Sequence, residues 1–458
     1  MSVGLALSLL SGALVAAAAL SGCNNSSDSS NPENPIPDGG SLLGTDATIH
    51  LFKPDASLFS ADAGMMCQEG ACDGYIDRTR IQNGMAPCIQ FKDQHARHLL
   101  TGLELEERKN HSTVSMKDLN ADGLLDLCFF HPSSSSTCYL SQGGVFTEAQ
   151  NFSSVLSSYK NVVWGDRYFL RMGQQDSDLV KNENGVFTPL LSPQGIHLLG
   201  DPGITGVFLG MDLLFATDNR LYFYRNLGND HFSEVANDIG LRNAGNIAAL
   251  PAADFDGDGD LDFYAASPSD RAKRLYVNHG DGTFTSSVSS TTGQFVLSDP
   301  GASVDAQWVL RQPGELPSLH VINWSDENNQ DPGNILYCRN SRGSFEDCTD
   351  RMGLRAQSKN TKVAWGDILN NQTPSHVLGK FEEPSRFYYP LLNQNSNSVD
   401  HYEDITLPLN LSILGKTIFV GFLDYDRDGK QDLLAVMADG VVLLFKNQSE
   451  KVKVCPKT

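Results

Sequence analysis

Positive charge is scarce in this chain. Thirty-four Lys and Arg face 55 Asp and Glu, for a formal net charge of −21. A surface this anionic repels a phosphate backbone, which excludes nucleic acid as a partner. Apolar residues make up 40% of the chain, enough for a folded core and too few for a multi-span membrane protein. No Cys-x-x-Cys pair occurs, so neither a zinc ribbon nor a thioredoxin-type centre is encoded. The 11 His residues show no H-E-x-x-H spacing. No G-x-S-x-G elbow or Walker loop is present, and no G-x-G-x-x-G follows a strand. No catalytic residue can therefore be assigned. A constellation gathered from several repeats around a central channel would be invisible in sequence.

Basic residues are missing altogether before Lys53. An apolar, Ala- and Leu-rich run over 3–20 ends in Leu20-Ser21-Gly22-Cys23. This segment resembles the signal and lipobox of bacterial lipoproteins, which implies lipidation of Cys23 and a lipid-anchored home in the cell envelope. A signal peptide ordinarily opens with Lys or Arg, so an uncleaved anchor is the alternative. The polar, Pro- and Ser-rich stretch 23–44 cannot bury enough surface to fold and reads as a flexible tether. The expected organisation is a signal over 1–22, a tether over 23–44, an N-terminal extension over 45–117, a repeat domain over 118–450 and a tail over 451–458.

Eight further cysteines accompany Cys23, an even number that suits an oxidising compartment. Cys128 and Cys138, and Cys338 and Cys348, each flank a short segment between strand-like sequences and are expected to pair. Cys455 is expected to meet Cys67, Cys72 or Cys88 where the fold closes on itself. Connectivity is not fixed by spacing alone.

One unit recurs seven times. It reads as apolar strand, loop, second strand, then a hairpin of the form L-Y-x-N-x-G-x-G-x-F. Examples are LYFYRNLGNDHFSEV at 221–235 and LYVNHGDGTFTSS at 275–287. Leu, Tyr, Val and Phe favour strands, and Asn-Gly and Asp-Gly steps supply the positive φ of tight turns. The loops fall near 118, 166, 208, 254, 307, 367 and 424. Four short strands at that period predict an all-β fold, a single β-propeller of seven four-stranded blades. The seventh copy stops before its outer strand. An upstream segment, Ala47–Phe52 or Cys88–Phe91, is expected to supply it and close the ring.

Three of the loops share the pattern D-x-[DN]-x-D-G-x-x-D. The first offers Asp118, Asn120, Asp122, Leu124 and Asp126. The second offers Asp254, Asp256, Asp258, Asp260 and Asp262. The third offers Asp424, Asp426, Asp428, Lys430 and Asp432. Hard oxygen ligands at positions 1, 3 and 5 converge on a cation as the chain curls, and Gly at position 6 permits the turn. Position 7 (Leu124, Asp260, Lys430) would contribute a backbone carbonyl, and the position 9 carboxylate would complete the shell. An EF-hand needs Glu at position 12; here that position is Phe129, Ala265 and Ala435.

These loops, the hairpins and the phrases FSEVANDIGL and FEDCTDRMGL resemble FG-GAP/VCBS repeats of integrin-α-like propellers over roughly 110–447. The resemblance implies up to three structural Ca²⁺ ions held within single blades. Asp166 and Asp367 keep the leading acid of such a loop but lose the later ones, and no metal is assigned to them. The expected function is a protein- or glycan-binding scaffold, with an accessory subunit of an envelope assembly and a propeller enzyme as alternatives. Trp164 and Trp365 occupy the same repeat position and are expected in the blade core.

Overall fold

The computed structural model describes residues 91–95 and 113–447, apart from residues 131–134, 174–175, 184, 191–195, 200–202, 242–245, 269–272, 288–296, 298, 325–332, 341–343, 369, 371, 394–397, 407–410, 412–415 and 439. Cys23, Cys67, Cys72, Cys88 and Cys455 lie outside the described residues, as do the signal, the tether, the candidate Ala47–Phe52 and the tail.

Seven antiparallel sheets follow one another along the chain. Their innermost strands are Thr113–Lys117, Asn161–Trp164, Gly203–Leu209, Ala252–Ala253, Ser303–Val309, Asn360–Gly366 and Thr417–Leu423. Each leads a blade, numbered 1 to 7 below. The second strands are almost wholly buried, as in Asp126–Phe130 and Asp432–Met437. Both faces of a middle strand pack against neighbouring blades, which is why these segments read as apolar runs instead of alternating. Blade 2 departs from four strands: its third strand, Asp176–Glu183, carries two short outer partners, Val186–Pro189 and His197–Leu199.

Seven apolar clusters fill the seven interfaces between neighbouring blades. At the seam, Leu434, Val436 and Leu444 of blade 7 meet Leu127, Phe129 and Tyr139 of blade 1. A side chain such as Phe129, 1% exposed, contributes about 2–3 kcal/mol through burial. Between blades 1 and 2 the short helix Gln150–Leu156 inserts Phe152 and Leu156. Trp164 and Trp365 pack against such clusters, each half-buried.

The ring closes as the truncated last repeat requires. Phe91–His95 pairs antiparallel with Val442–Asn447, from Phe91 opposite Asn447 to His95 opposite Leu443. The closing strand therefore starts where the expected segment Cys88–Phe91 ends. Two boundaries shift. Blade 1 begins at Thr113, five residues before the expected 118, because the strand leading into the first loop belongs to it. Residues 208 and 307 lie inside strands, and their turns come later, at 210–211 and 310–317. Neither turn carries the aspartates that mark the other loops.

Both expected disulfides are present. Cys128 and Cys138 face each other across adjacent strands of blade 1, with Cα atoms 4.0 Å apart. Cys338 and Cys348 join the third strand of blade 5 to the residue after its fourth.

Candidate metal loops and ligand pocket

The three aspartate loops sit at the same place in blades 1, 4 and 7, between the first and second strands. Their backbones are alike. Position 4 is left-handed in each: Ala121 (φ 58°), Gly257 (83°) and Arg427 (62°). Position 6 is the expected glycine, Gly123, Gly259 or Gly429, again with positive φ. The position 1 carboxylate accepts the position 6 amide, at 2.9 Å in Asp118, 3.0 Å in Asp254 and 2.9 Å in Asp424. The position 5 carboxylate accepts the position 7 amide: Leu124 to Asp122, Asp260 to Asp258, Lys430 to Asp428. These bonds curl each loop around its acids.

Position 9 is buried and clamps backbone. Asp126 accepts the amides of Leu119 and Ser141, Asp262 those of Phe255 and Asn278, and Asp432 those of Tyr425 and Asn447. Each carboxylate thus fastens its loop to the third strand of its own blade. Burial, reinforced by the neighbouring acids, pushes Asp126 up to about 6 and Asp262 and Asp432 up to about 7. A cation beside them would reverse that shift.

The carboxylate oxygens of Asp254, Asp256 and Asp262 lie within 4.8 Å of one another, as do those of Asp424, Asp426 and Asp432. Asp256 Oδ1 and Asp426 Oδ1 are buried and lack a hydrogen-bond partner. Such an oxygen is costly unless something positive meets it. The donor set, all hard oxygen on a tight loop, fits Ca²⁺. In blade 1 position 3 is Asn120, which is exposed and donates to Asp122. That loop carries three carboxylates, against five in blade 4 and four in blade 7, and no orphaned oxygen among its described residues.

The other blades keep fragments of the device. In blade 3, Asp212 follows a two-residue turn and accepts the Asn226 amide at 2.7 Å, the position 9 clamp without the rest of the loop. Asp367 accepts the Gln372 amide, and Asp166 is 97% exposed beside Lys117 at 3.6 Å. Asp212 was missed in the sequence because no acidic loop precedes it; Asp-Leu-Leu-Phe leading into L-Y-x-Y-x-N was the available signal.

A pocket of about 540 Å³ opens between blades 1 and 2, beside the first aspartate loop. Trp164, Leu140 and Phe152 give it an apolar wall, and Asn120, Asn151 and Asn182 line it with carboxamides. The Trp164 indole N–H is taken by Ser115 Oγ at 2.7 Å, which fixes the ring. Asn182 Oδ1 accepts the Gly185 amide, leaving its NH₂ toward other partners. Lys117 and Asp166 pair at its rim. Asn151 and Asn182 carry no motif and could not be singled out beforehand.

Seven blades closed by an N-terminal strand make this chain a β-propeller. It carries FG-GAP-like repeats: the family model for the FG-GAP-like repeat matches residues 210–265 and 254–307. No curated protein matches the chain. Among solved structures, the extracellular domain of a hybrid two-component system from B. thetaiotaomicron is 11% identical with a TM-score of 0.43. That match covers 78% of this chain, which spans 39% of that protein. An Agrocybe aegerita lectin described as recognising non-reducing terminal N-acetylglucosamine is 12% identical with a TM-score of 0.43, over 72% of this chain and 86% of the lectin.

Proposed function

We propose that this propeller is an extracytoplasmic binding scaffold, anchored through lipidated Cys23 and stiffened by Ca²⁺, that holds a neutral glycan in the pocket between blades 1 and 2. The pocket carries this reading. Its volume falls in the range of small-ligand sites. A sugar offers an apolar C–H face and hydroxyls that both donate and accept. The wall offers the Trp164 ring face, the Asn182 NH₂ as donor and the Asn151 carboxamide as donor and acceptor. An anion would meet Asp118 and Asp166 there, and the one ammonium, Lys117, already pairs with Asp166. Asp254, Asp256 and Asp262 would hold the metal in blade 4, and the equivalent acids in blade 7. Bound there, calcium would supply charge neutralisation alone, with the loop itself fastened to the blade by the position 9 carboxylate.

An array of neutral oligosaccharides tests the ligand. Wild type is expected to bind a subset, and Asn151→Ala/Asn182→Ala to bind at least about tenfold more weakly with an unchanged melting temperature. An array bound by neither protein, or bound equally by both, contradicts the glycan reading. Fatty-acid labelling of cells tests the anchor: label is expected on wild type and absent from Cys23→Ala. Label that survives the substitution contradicts it.

A further inference from the structure

Each blade is an up-and-down meander. The turn between its first and second strands (its first turn) and the turn between its third and fourth (its last turn) therefore come out on the same side of the ring. Contacts between neighbouring blades hold these turns together on one face. Arg427, in the first turn of blade 7, pairs with Asp122, in the first turn of blade 1, at 3.1 Å. The Gly144 amide, in the last turn of blade 1, donates to the Tyr425 carbonyl of blade 7 at 2.8 Å. Arg225, beside the last turn of blade 3, donates to the Gly282 carbonyl in the last turn of blade 4 at 2.8 Å. Asn370 of blade 6 donates to the Gly429 carbonyl of blade 7 at 2.9 Å.

That face carries every strongly exposed large apolar side chain among the described residues. Val145, Val186 and Leu227 stand at the last turns of blades 1, 2 and 3. Met211, Leu261, Leu310 and Leu316 stand in the first turns of blades 3, 4 and 5. Val186, Leu227 and Leu310 are 66%, 63% and 57% exposed. Single exposed apolar residues are ordinary on a soluble protein. Their confinement to one side of a disc, over five consecutive blades, is not what scattered exposure produces. Tips spread along an arc suit a broad, flat partner, whereas a peptide or a small ligand asks for a groove or a pocket.

Both ends of the ring lie on the same side. Asn447 donates its amide to Asp432 at the foot of the blade 7 loop, and Phe91 pairs with Asn447. From Phe91 the closing strand runs away from this face to His95, opposite Leu443. Residues 1–90, Cys23 among them, are therefore attached on the side of the apolar tips. We propose that this face docks on a lipid bilayer, with its apolar tips seated in the interface of the membrane that the acyl chains of Cys23 enter. The docking rests on the anchor reading above, because tethering supplies the effective concentration that a few isolated side chains lack. Charge selects the lipid. Among the described residues the exposed charged groups on these turns are mostly acids, Asp122, Asp166, Asp258, Asp281 and Asp428 against Arg167 and Arg427. They repel anionic headgroups and accept the outermost ammonium of a zwitterionic one. The glycan pocket is lined by the first turns of blades 1 and 2 and opens on this face too, so a sugar held there is one displayed at the bilayer surface.

Tryptophan reporters on the full-length protein, reconstituted into phosphatidylcholine vesicles and floated with them, test the face. Leu227→Trp sits on a tip. Asn219→Trp sits on the opposite side of the same blade, in the exposed turn between its second and third strands. Emission of Leu227→Trp above the wild-type background is expected to be roughly halved by lipids brominated on their acyl chains, and that of Asn219→Trp to be unchanged. Val186→Trp repeats the test on blade 2 should Leu227→Trp fail to fold. Equal quenching on both sides, or quenching on neither, overturns the docking. A blue shift of Leu227→Trp that grows with the protein-to-lipid ratio and is insensitive to bromine also overturns it, and marks the face as a contact between copies of this chain. Fatty-acid label on Cys23 with an unquenched tip overturns the docking and leaves the anchor. A quenched tip on protein without label overturns the anchor and leaves the docking.

Discussion

His376 stacks between Trp365 and Tyr388, with ring centroids 4.4 and 4.6 Å away, and neither of its nitrogens has a hydrogen-bond partner. His320 sits 5.4 Å from it and is held by Asn334, whose NH₂ donates to Nε2 at 2.9 Å. Both rings are buried between blades 5 and 6. Burial holds His320 down at about 3 and His376 well below the usual imidazole range. The folded state therefore refuses protons that the unfolded chain accepts below a pH of about 6.5. Stability is full above that pH and is lost as pH falls below it, by about 1.4 kcal/mol per pH unit for each ring. His376→Phe keeps the stacking and removes the unpartnered nitrogens. It is expected to be neutral or stabilising by about 1 kcal/mol at pH 7.5. It is also expected to flatten the acid slope between pH 6.5 and 4.5 in urea titrations; an unchanged slope contradicts the burial argument. The position 9 aspartates make a second residue-scale case. In sequence they read as metal ligands. The structure adds that each clamps two backbone amides, a role no motif spells out. Asp126→Ala should cost about 2–4 kcal/mol in urea unfolding even in EDTA, since the buried Ser141 N–H and the half-buried Leu119 N–H lose their acceptor. A loss below about 1 kcal/mol would show that the clamp is not structural.

Elements were the most legible scale. The hairpins at 138–148, 179–189, 221–235, 275–287, 336–348 and 387–405 form as read, because their strand formers and turn residues agree with the tertiary context. The first halves of blades 3 and 5 were placed too early. Without an acidic loop, nothing in a continuous apolar run marks where a strand ends. The closing strand could only be bracketed, because FKDQH carries no repeat signature and its place is set by the unpaired edge of Val442–Asn447. Removal of residues 1–95 is expected to bare that edge. Such a protein should melt at lower temperature and elute as larger species in size-exclusion chromatography. A monomer of unchanged melting temperature contradicts the ring closure.

At the scale of the molecule, repeat counting gave seven blades because each unit is a blade and cannot bury its faces alone. The pocket between blades 1 and 2 was not legible, since its Asn residues come from separate segments brought together only by the ring. The same holds for Arg427 and Asp122, distant in sequence and paired at 3.1 Å across the seam between blades 7 and 1. We propose that a calcium-filled aspartate loop stiffens the propeller. A thermal melt of metal-stripped protein in EDTA and in about 10 mM Ca²⁺ tests it most directly. With an affinity of roughly 10⁻⁴–10⁻³ M, one filled site adds about 1.5–3 kcal/mol. The melting temperature should rise by a few degrees in wild type and by less in Asp256→Asn. An identical melting temperature with and without calcium, on wild-type protein verified to start metal-free, would contradict the account.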